Sequence, residues 1–231
     1  TTLLRLMAGV MEPSNGSILF GTKPVSTMRA KLGVVPESTG LYSRLTAWEN
    51  IRYHSRMYGI SDEVAWNRVS HFANRLEITE SLSRHTKGFS RGMRQKTALL
   101  RALAHGPDIL LLDEPTAGLD VTSARTVRSL VGQLRDEGGT VIYSTHHLAE
   151  AQQVCDRIII VHNGTIRADG SPSDLLEMTG DTTLENAYVS LTSDKARPRN
   201  EDKSKDGRLA KWWRRFLTGS TPELKEVGED E

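Results

Sequence analysis

The stretch Ile109-Leu110-Leu111-Leu112-Asp113-Glu114-Pro115-Thr116-Ala117-Gly118-Leu119-Asp120 decides the reading of this chain. Four consecutive apolar residues ending in two carboxylates and a proline turn predict a buried strand that delivers acid groups to its own end. A strand covered on both faces can be continuously apolar, and parallel sheets are the usual place for one. Ligands of such sheets bind beyond the carboxyl ends of the strands. Two adjacent carboxylates there suit a magnesium–phosphate site, where one helps hold the cation and the other takes a proton from water. The competing reading is a strand that ends in a solvated acidic turn.

Four further segments flank this one in a fixed order. Thr1-Thr2-Leu3-Leu4-Arg5-Leu6-Met7-Ala8-Gly9 has the form of the second half of a phosphate-binding loop with its helix. Gly33-Val34-Val35-Pro36-Glu37, Phe89-Ser90-Arg91-Gly92-Met93 and Ser144-Thr145-His146 follow it. Together with the acidic strand they resemble the P-loop, Q-loop, signature loop, Walker B strand with D-loop, and H-loop of ATP-binding cassette (ABC) ATPases. The resemblance covers residues 1–192. It implies a P-loop NTPase fold of the α/β class, a RecA-like parallel sheet core with an inserted α-helical subdomain at about 41–104.

A full P-loop reads G-x-x-x-x-G-K-[ST]; its backbone N–H groups surround the phosphates and its lysine reaches the terminal ones. Thr1 matches the final hydroxyl position, so the glycines, the lysine and the preceding strand are not in the sequence. On this reading the chain is truncated within the P-loop, and as written it is expected to bind ATP poorly or not at all.

Composition sets outer bounds. At 231 residues and 37% hydrophobic content there is enough apolar material for a sizeable core. A formal net charge of +1 gives no global field favouring nucleic acid. The longest purely aliphatic runs, 109–112 and 158–161, fall far short of the ~20 residues of a spanning helix, and mean hydropathy is −0.42. Cys155 is the only cysteine, which excludes an internal disulfide and suits a reducing compartment.

Periodicity supplies the elements. Residues 2–10 read as a helix, and 17–20 and 32–35 as strands. Thr46 and Glu49 form a capping box ahead of a helix with Trp48, Ile51 and Tyr58 on one face. Val64, Ala65, Val69, Phe72, Ala73 and Leu76 give a second helical stripe. Aromatic residues in this region read as core rather than as a ligand box. Beyond residue 107 the expected order is strand 108–113, helix 121–136, strand 140–144 and a helix over about 148–154. A hairpin is expected around Asn163-Gly164.

The resemblance implies roles for matched positions. Thr1 offers a hydroxyl to Mg2+ and Thr2 a backbone N–H to a phosphate of ATP. Asp113 holds the metal, Glu114 is the general base, and His146 contacts the terminal phosphate, whereas His147 is an ordinary surface residue. Glu37 stands where glutamine is usual; its carboxylate accepts a metal or a water proton but, when ionised, donates no hydrogen bond. Ser90 and the backbone around Gly92 reach ATP held by a second ABC subunit in a head-to-tail dimer, and Asp120 crosses that interface while also capping a helix. Arg91 and Met93 replace the usual glycine and glutamine. Arg91 either adds a cation near that phosphate or points into solvent.

The Q-loop and signature sequences, with Thr183-Leu184-Glu185-Asn186-Ala187-Tyr188, resemble NatA-type cassettes of prokaryotic exporters. This implies an ATPase subunit on the cytoplasmic face of the cell membrane, coupled to a separate integral membrane transporter subunit. The alternatives are a soluble non-transport ABC ATPase of the translation or DNA-repair type, or an inactive cassette fragment. No basic patch large enough for nucleic acid is evident. Residues 193–208 read as a charged linker. In 209–217, Leu209, Trp212, Trp213 and Phe216 beside Lys211, Arg214 and Arg215 suggest an amphipathic basic segment. It can lie on an anionic membrane surface or pack on protein. Residues 223–231 form an acidic tail.

Overall fold

The computed structural model describes residues 1–193. The expectations for the linker from 194 onward, the basic segment 209–217 and the acidic tail lie outside the described residues.

Helix α1 (Thr2–Met7) is followed by a small antiparallel pair, β1 (Leu19–Phe20) with β2 (Lys23–Pro24), and a short helix α2 (Val25–Met28). The expected strand over 17–20 is thus halved; with only two partner residues and largely exposed side chains, little apolar surface holds it. Strand β3 (Leu32–Val35) leads into three helices, α3 (Ala47–Met57), α4 (Asp62–Arg75) and α5 (Arg91–Leu103). The remainder alternates: β4 (Ile109–Asp113), α6 (Val121–Asp136), β5 (Thr140–Ser144), α7 (Leu148–Val154). It closes with the hairpin β6 (Ile158–His162) and β7 (Thr165–Gly170), then α8 (Pro172–Thr179) and α9 (Leu184–Thr192).

Strands β3, β4 and β5 form a parallel sheet with β4 at its centre, Leu32 opposite Ile109 and Ile109 opposite Thr140. The position of β4 explains its sequence. Leu110 and Leu112 pack with Leu99 and Leu100 of α5 and with Val127, Leu130 and Val131 of α6. Leu111 faces the other way, against Leu4 and Ala8. Both faces are covered, so no polar residue can alternate along the strand. Each such leucine contributes roughly 1.5–3 kcal/mol on burial. Gly33 sets how closely β3 approaches α5, since a Cβ there would lie 2.7 Å from the Ala102 carbonyl oxygen.

Local signals fix the helix starts. Thr46 accepts from the Glu49 N–H while the Glu49 carboxylate accepts from the Thr46 N–H, the reciprocal cap that the sequence predicts. Ala65, Val69, Ala73 and Leu76 are fully buried, but Val64 is 41% exposed, so the apolar stripe of α4 is narrower than its periodicity suggests. The aromatic residues divide likewise: Trp48 packs on the core, whereas Trp66 meets it edge-on at 4.8 Å and stays exposed. The β6–β7 turn has Asn163 and Gly164 both at positive φ (49° and 73°), the paired left-handed conformation of a two-residue hairpin loop.

Candidate functional site

Strands β4 and β5 end side by side, with Asp113 opposite Ser144. The site grows from that pairing. Ser144 Oγ donates to Asp113 Oδ1 at 2.7 Å. The Glu114 N–H reaches back to both the Ser144 carbonyl (3.1 Å) and Ser144 Oγ (3.2 Å). These contacts hold Glu114 at φ 49°, a left-handed conformation uncommon for a residue with a side chain. The turn lifts its carboxylate off the line of the strand, so that Oε2 lies 2.8 Å from His146 Nδ1. Oε2 is buried and makes no well-aligned hydrogen bond, so the histidine contact has the character of an ion pair.

The close Glu114 carboxylate raises the pKa of His146 above its ordinary value, with smaller contributions from Glu150 and Glu37. The imidazole itself is 67% exposed and free to meet a ligand from solvent. His147 lies beside it, with ring centroids 4.1 Å apart and planes tilted by 38°. Thr1 and Thr2 lie at the start of α1, both exposed, and the Thr1 amino group is 3.6 Å from Asp113 Oδ1. Asp113, Glu114, His146 and Thr1 are thus brought to one end of the sheet. Glu37, exposed just past β3, joins them at the level of electrostatics.

The signature residues form a second group. Ser90 caps α5, accepting from the Met93 N–H at 3.2 Å, and remains exposed. Gly92 is buried on the first turn of α6, where a Cβ would come within 2.6 Å of Ser123 Oγ. Asp120 caps α6 by accepting from the Ser123 N–H at 2.9 Å, and this bond holds its carboxyl below the usual range. Among the described residues, no hydrogen bond or ion pair joins Ser90, Gly92 or Asp120 to Asp113, Glu114 or His146.

Arg91 is exposed, and it also touches its own chain. Its guanidinium lies over Gly118 of the turn after β4, so close that a Cβ on Gly118 would sit 2.5 Å from a guanidinium nitrogen. The left-handed Gly118 (φ 65°) leaves room for this contact across 27 positions of sequence. Sequence reasoning also gave Ser144 no role of its own, although the hydroxyl organises both carboxylate residues; a serine closing a strand carries no signal by itself.

Oxygen donors at the ends of β4 and α1 suit Mg2+, which keeps several waters and takes one or two protein ligands beside substrate phosphates. A full cage of protein ligands is not needed.

Comparison with known proteins agrees with this geometry. The family profile described as "ABC transporter" matches residues 1–117. The ABC transporter ATP-binding protein NatA of Bacillus subtilis is 39% identical over 195 residues, spanning 82% of this chain and 79% of NatA. The linearmycin resistance ATP-binding protein LnrL of the same organism is 33% identical, spanning 82% of this chain and 62% of LnrL. A dimeric structure of a post-hydrolysis state of an ATP-binding cassette, bound to ADP and Pi, superposes with a TM-score of 0.66 at 26% identity, covering 74% of this chain and 79% of that one. With its parallel core, its paired carboxylates and these relatives, the chain belongs to the ABC transporter family as an ATP-binding, ATP-hydrolysing subunit.

Proposed function

We propose that residues 1–192 form one ATPase domain, with a helical subdomain at about 41–104, in which Glu114 is the general base for ATP hydrolysis. The observation carrying this reading is the 2.8 Å contact between Glu114 and His146 beside an Asp113 carboxylate fixed by Ser144. A proton leaves the attacking water for the Glu114 carboxylate as the new oxygen–phosphorus bond forms and the bond to ADP breaks. His146, exposed and bearing a raised pKa, can donate to a terminal phosphate oxygen through its remaining ring nitrogen. Asp113 and Thr1 would hold Mg2+, which when bound neutralises phosphate charge. Thr2 contributes its N–H, and Glu37 accepts from metal-bound or attacking water.

Ser90, Gly92 and Asp120 are assigned to the ATP of a second ABC subunit. Likeness to a cassette whose structure is dimeric supports a head-to-tail dimer. The motor acts on a separate membrane subunit from the cytoplasmic face; among the described residues no helix is long and apolar enough to cross a membrane. Export is the favoured direction, because the relative LnrL is named for linearmycin resistance.

The test is Glu114→Gln in a protein whose P-loop is complete, assayed for ATP turnover and for ATP binding. A well-placed base contributes roughly 10²–10⁴-fold, so turnover should fall by that factor while binding persists. Equal turnover in the two proteins with complete P-loops overturns the assignment.

A further inference from the structure

A largely enclosed carboxylate one helical turn beyond His146 is not used by the chemistry above. Glu150 sits in the first turn of α7, where its N–H bonds the His147 carbonyl at 3.0 Å. Its side chain is only 15% exposed, yet it is bound from three other elements. Thr116 Oγ1 donates to Oε2 at 2.6 Å, and Tyr143 Oη donates to the same oxygen at 3.1 Å. Arg128 Nη1 reaches Oε1 at 2.6 Å. Each hydroxyl has one hydrogen, so the 3.2 Å approach of Thr116 Oγ1 to Tyr143 Oη reflects a shared acceptor rather than a further bond.

Burial pushes the Glu150 carboxyl up, but the bonds from Thr116, Tyr143 and Arg128 outweigh it and leave the group below its usual range. Tyr143 is driven upward, mainly by burial. The carboxylate therefore stays ionised and the phenol stays neutral, so each retains its part in the arrangement.

The partners matter for where they stand in the chain. Thr116 lies two residues after Glu114, Tyr143 directly precedes Ser144, and Arg128 belongs to α6, the helix capped by Asp120. Glu150 itself belongs to the helix that begins just after His146. We infer that Glu150 is a positioning residue: its carboxylate clamps the Glu114 turn, the end of β5 and the His146 helix start into one rigid unit, and so sets the Glu114–His146 geometry. The inference rests on the reading of Glu114 as the base.

A charge bound to three buried or partly buried donors resists movement of any of them, because displacement leaves a polar group without a partner. Thr116 is 5% exposed, so a freed hydroxyl there has no access to bulk water.

The experiment compares Thr116→Val, Thr116→Ser, Tyr143→Phe and Glu150→Ala with the wild type and Glu114→Gln, all in the protein with a complete P-loop. Turnover at varied ATP concentration, melting temperature and the His146 imidazole NMR resonances at neutral pH are followed. Small misplacements of a reacting group cost up to about 10²-fold. Thr116→Val and Glu150→Ala should therefore lower kcat about 10- to 100-fold with KM shifted no more than about threefold. Both should also move the His146 resonances while the protein remains folded. Thr116→Ser, which keeps the hydroxyl, should restore both, and Tyr143→Phe should fall between. If Glu114→Gln abolishes turnover but folded Thr116→Val keeps wild-type kcat and His146 resonances, the clamp is refuted. If Glu114→Gln itself leaves turnover unchanged, the base assignment fails and the NMR comparison alone judges the clamp. Should Thr116→Val not fold, a folded Tyr143→Phe with unchanged resonances and kcat refutes it.

Discussion

Replacing His54 by phenylalanine should flatten the acid limb of this protein's stability. His54 sits on α3, half-buried, with its ring 6.1 Å from His105 and beside Tyr58, which stacks on His105 at 4.1 Å. Neither His54 Nδ1 nor either ring nitrogen of His105 makes a well-formed hydrogen bond. Burial, with the charges of Arg101 and His105, lowers the pKa of His54 from 6.5 to about 4. The unfolded chain therefore takes up this proton before the folded one does. The stabilisation is complete above the unfolded value near 6.5 and is lost as pH falls through about 4. At about 1.36 kcal/mol per unit the ceiling is about 3.4 kcal/mol. Partial exposure screens the group and brings the expectation to about 2 kcal/mol. Urea unfolding at neutral pH and near pH 4 measures it. Wild type should lose about 2 kcal/mol more than His54→Phe over that range, because carboxylate titrations are common to both proteins. Equal losses, within about 0.5 kcal/mol, would show that the imidazole is well solvated or paired, and the reasoning would fail.

Two more substitutions probe close packing. Gly33→Ala drives a methyl into the Ala102 carbonyl, the Leu110 side chain and Pro107, all within 2.9 Å of the new carbon; a loss of about 1–3 kcal/mol in chemical unfolding is expected. Gly118→Ala combines left-handed strain of about 1–2 kcal/mol with eviction of the Arg91 guanidinium, so in a double-mutant cycle Arg91→Ala should relieve part of the cost; strictly additive effects would mean the two do not touch.

Much of the architecture is legible in sequence where one short segment carries its own instruction. The apolar run of β4, the Thr46–Glu49 cap and the Asn163-Gly164 turn each depend on neighbours within a few residues, and each forms as read. The helix α8 has an equally local cap, Ser171 with Asp174 around Pro172, written in the same pattern. What sequence could not convey is contact between segments far apart. Arg91 on Gly118, Ser144 under Asp113 and Glu150 on Thr116 span 27, 31 and 34 positions, and no periodicity encodes them. Exposure is similarly hidden: Val64 falls within the apolar periodicity of α4 and is nonetheless exposed.

The left-handed backbone at Glu114 has a consequence for laboratory evolution. That conformation costs a residue with a Cβ roughly 1–2 kcal/mol, and glycine almost nothing. Libraries randomised at this codon and enriched only for survival on heating would drift toward glycine or asparagine. Enrichment for phosphate release would instead hold glutamate against that drift, so the two regimes pull one codon in opposite directions.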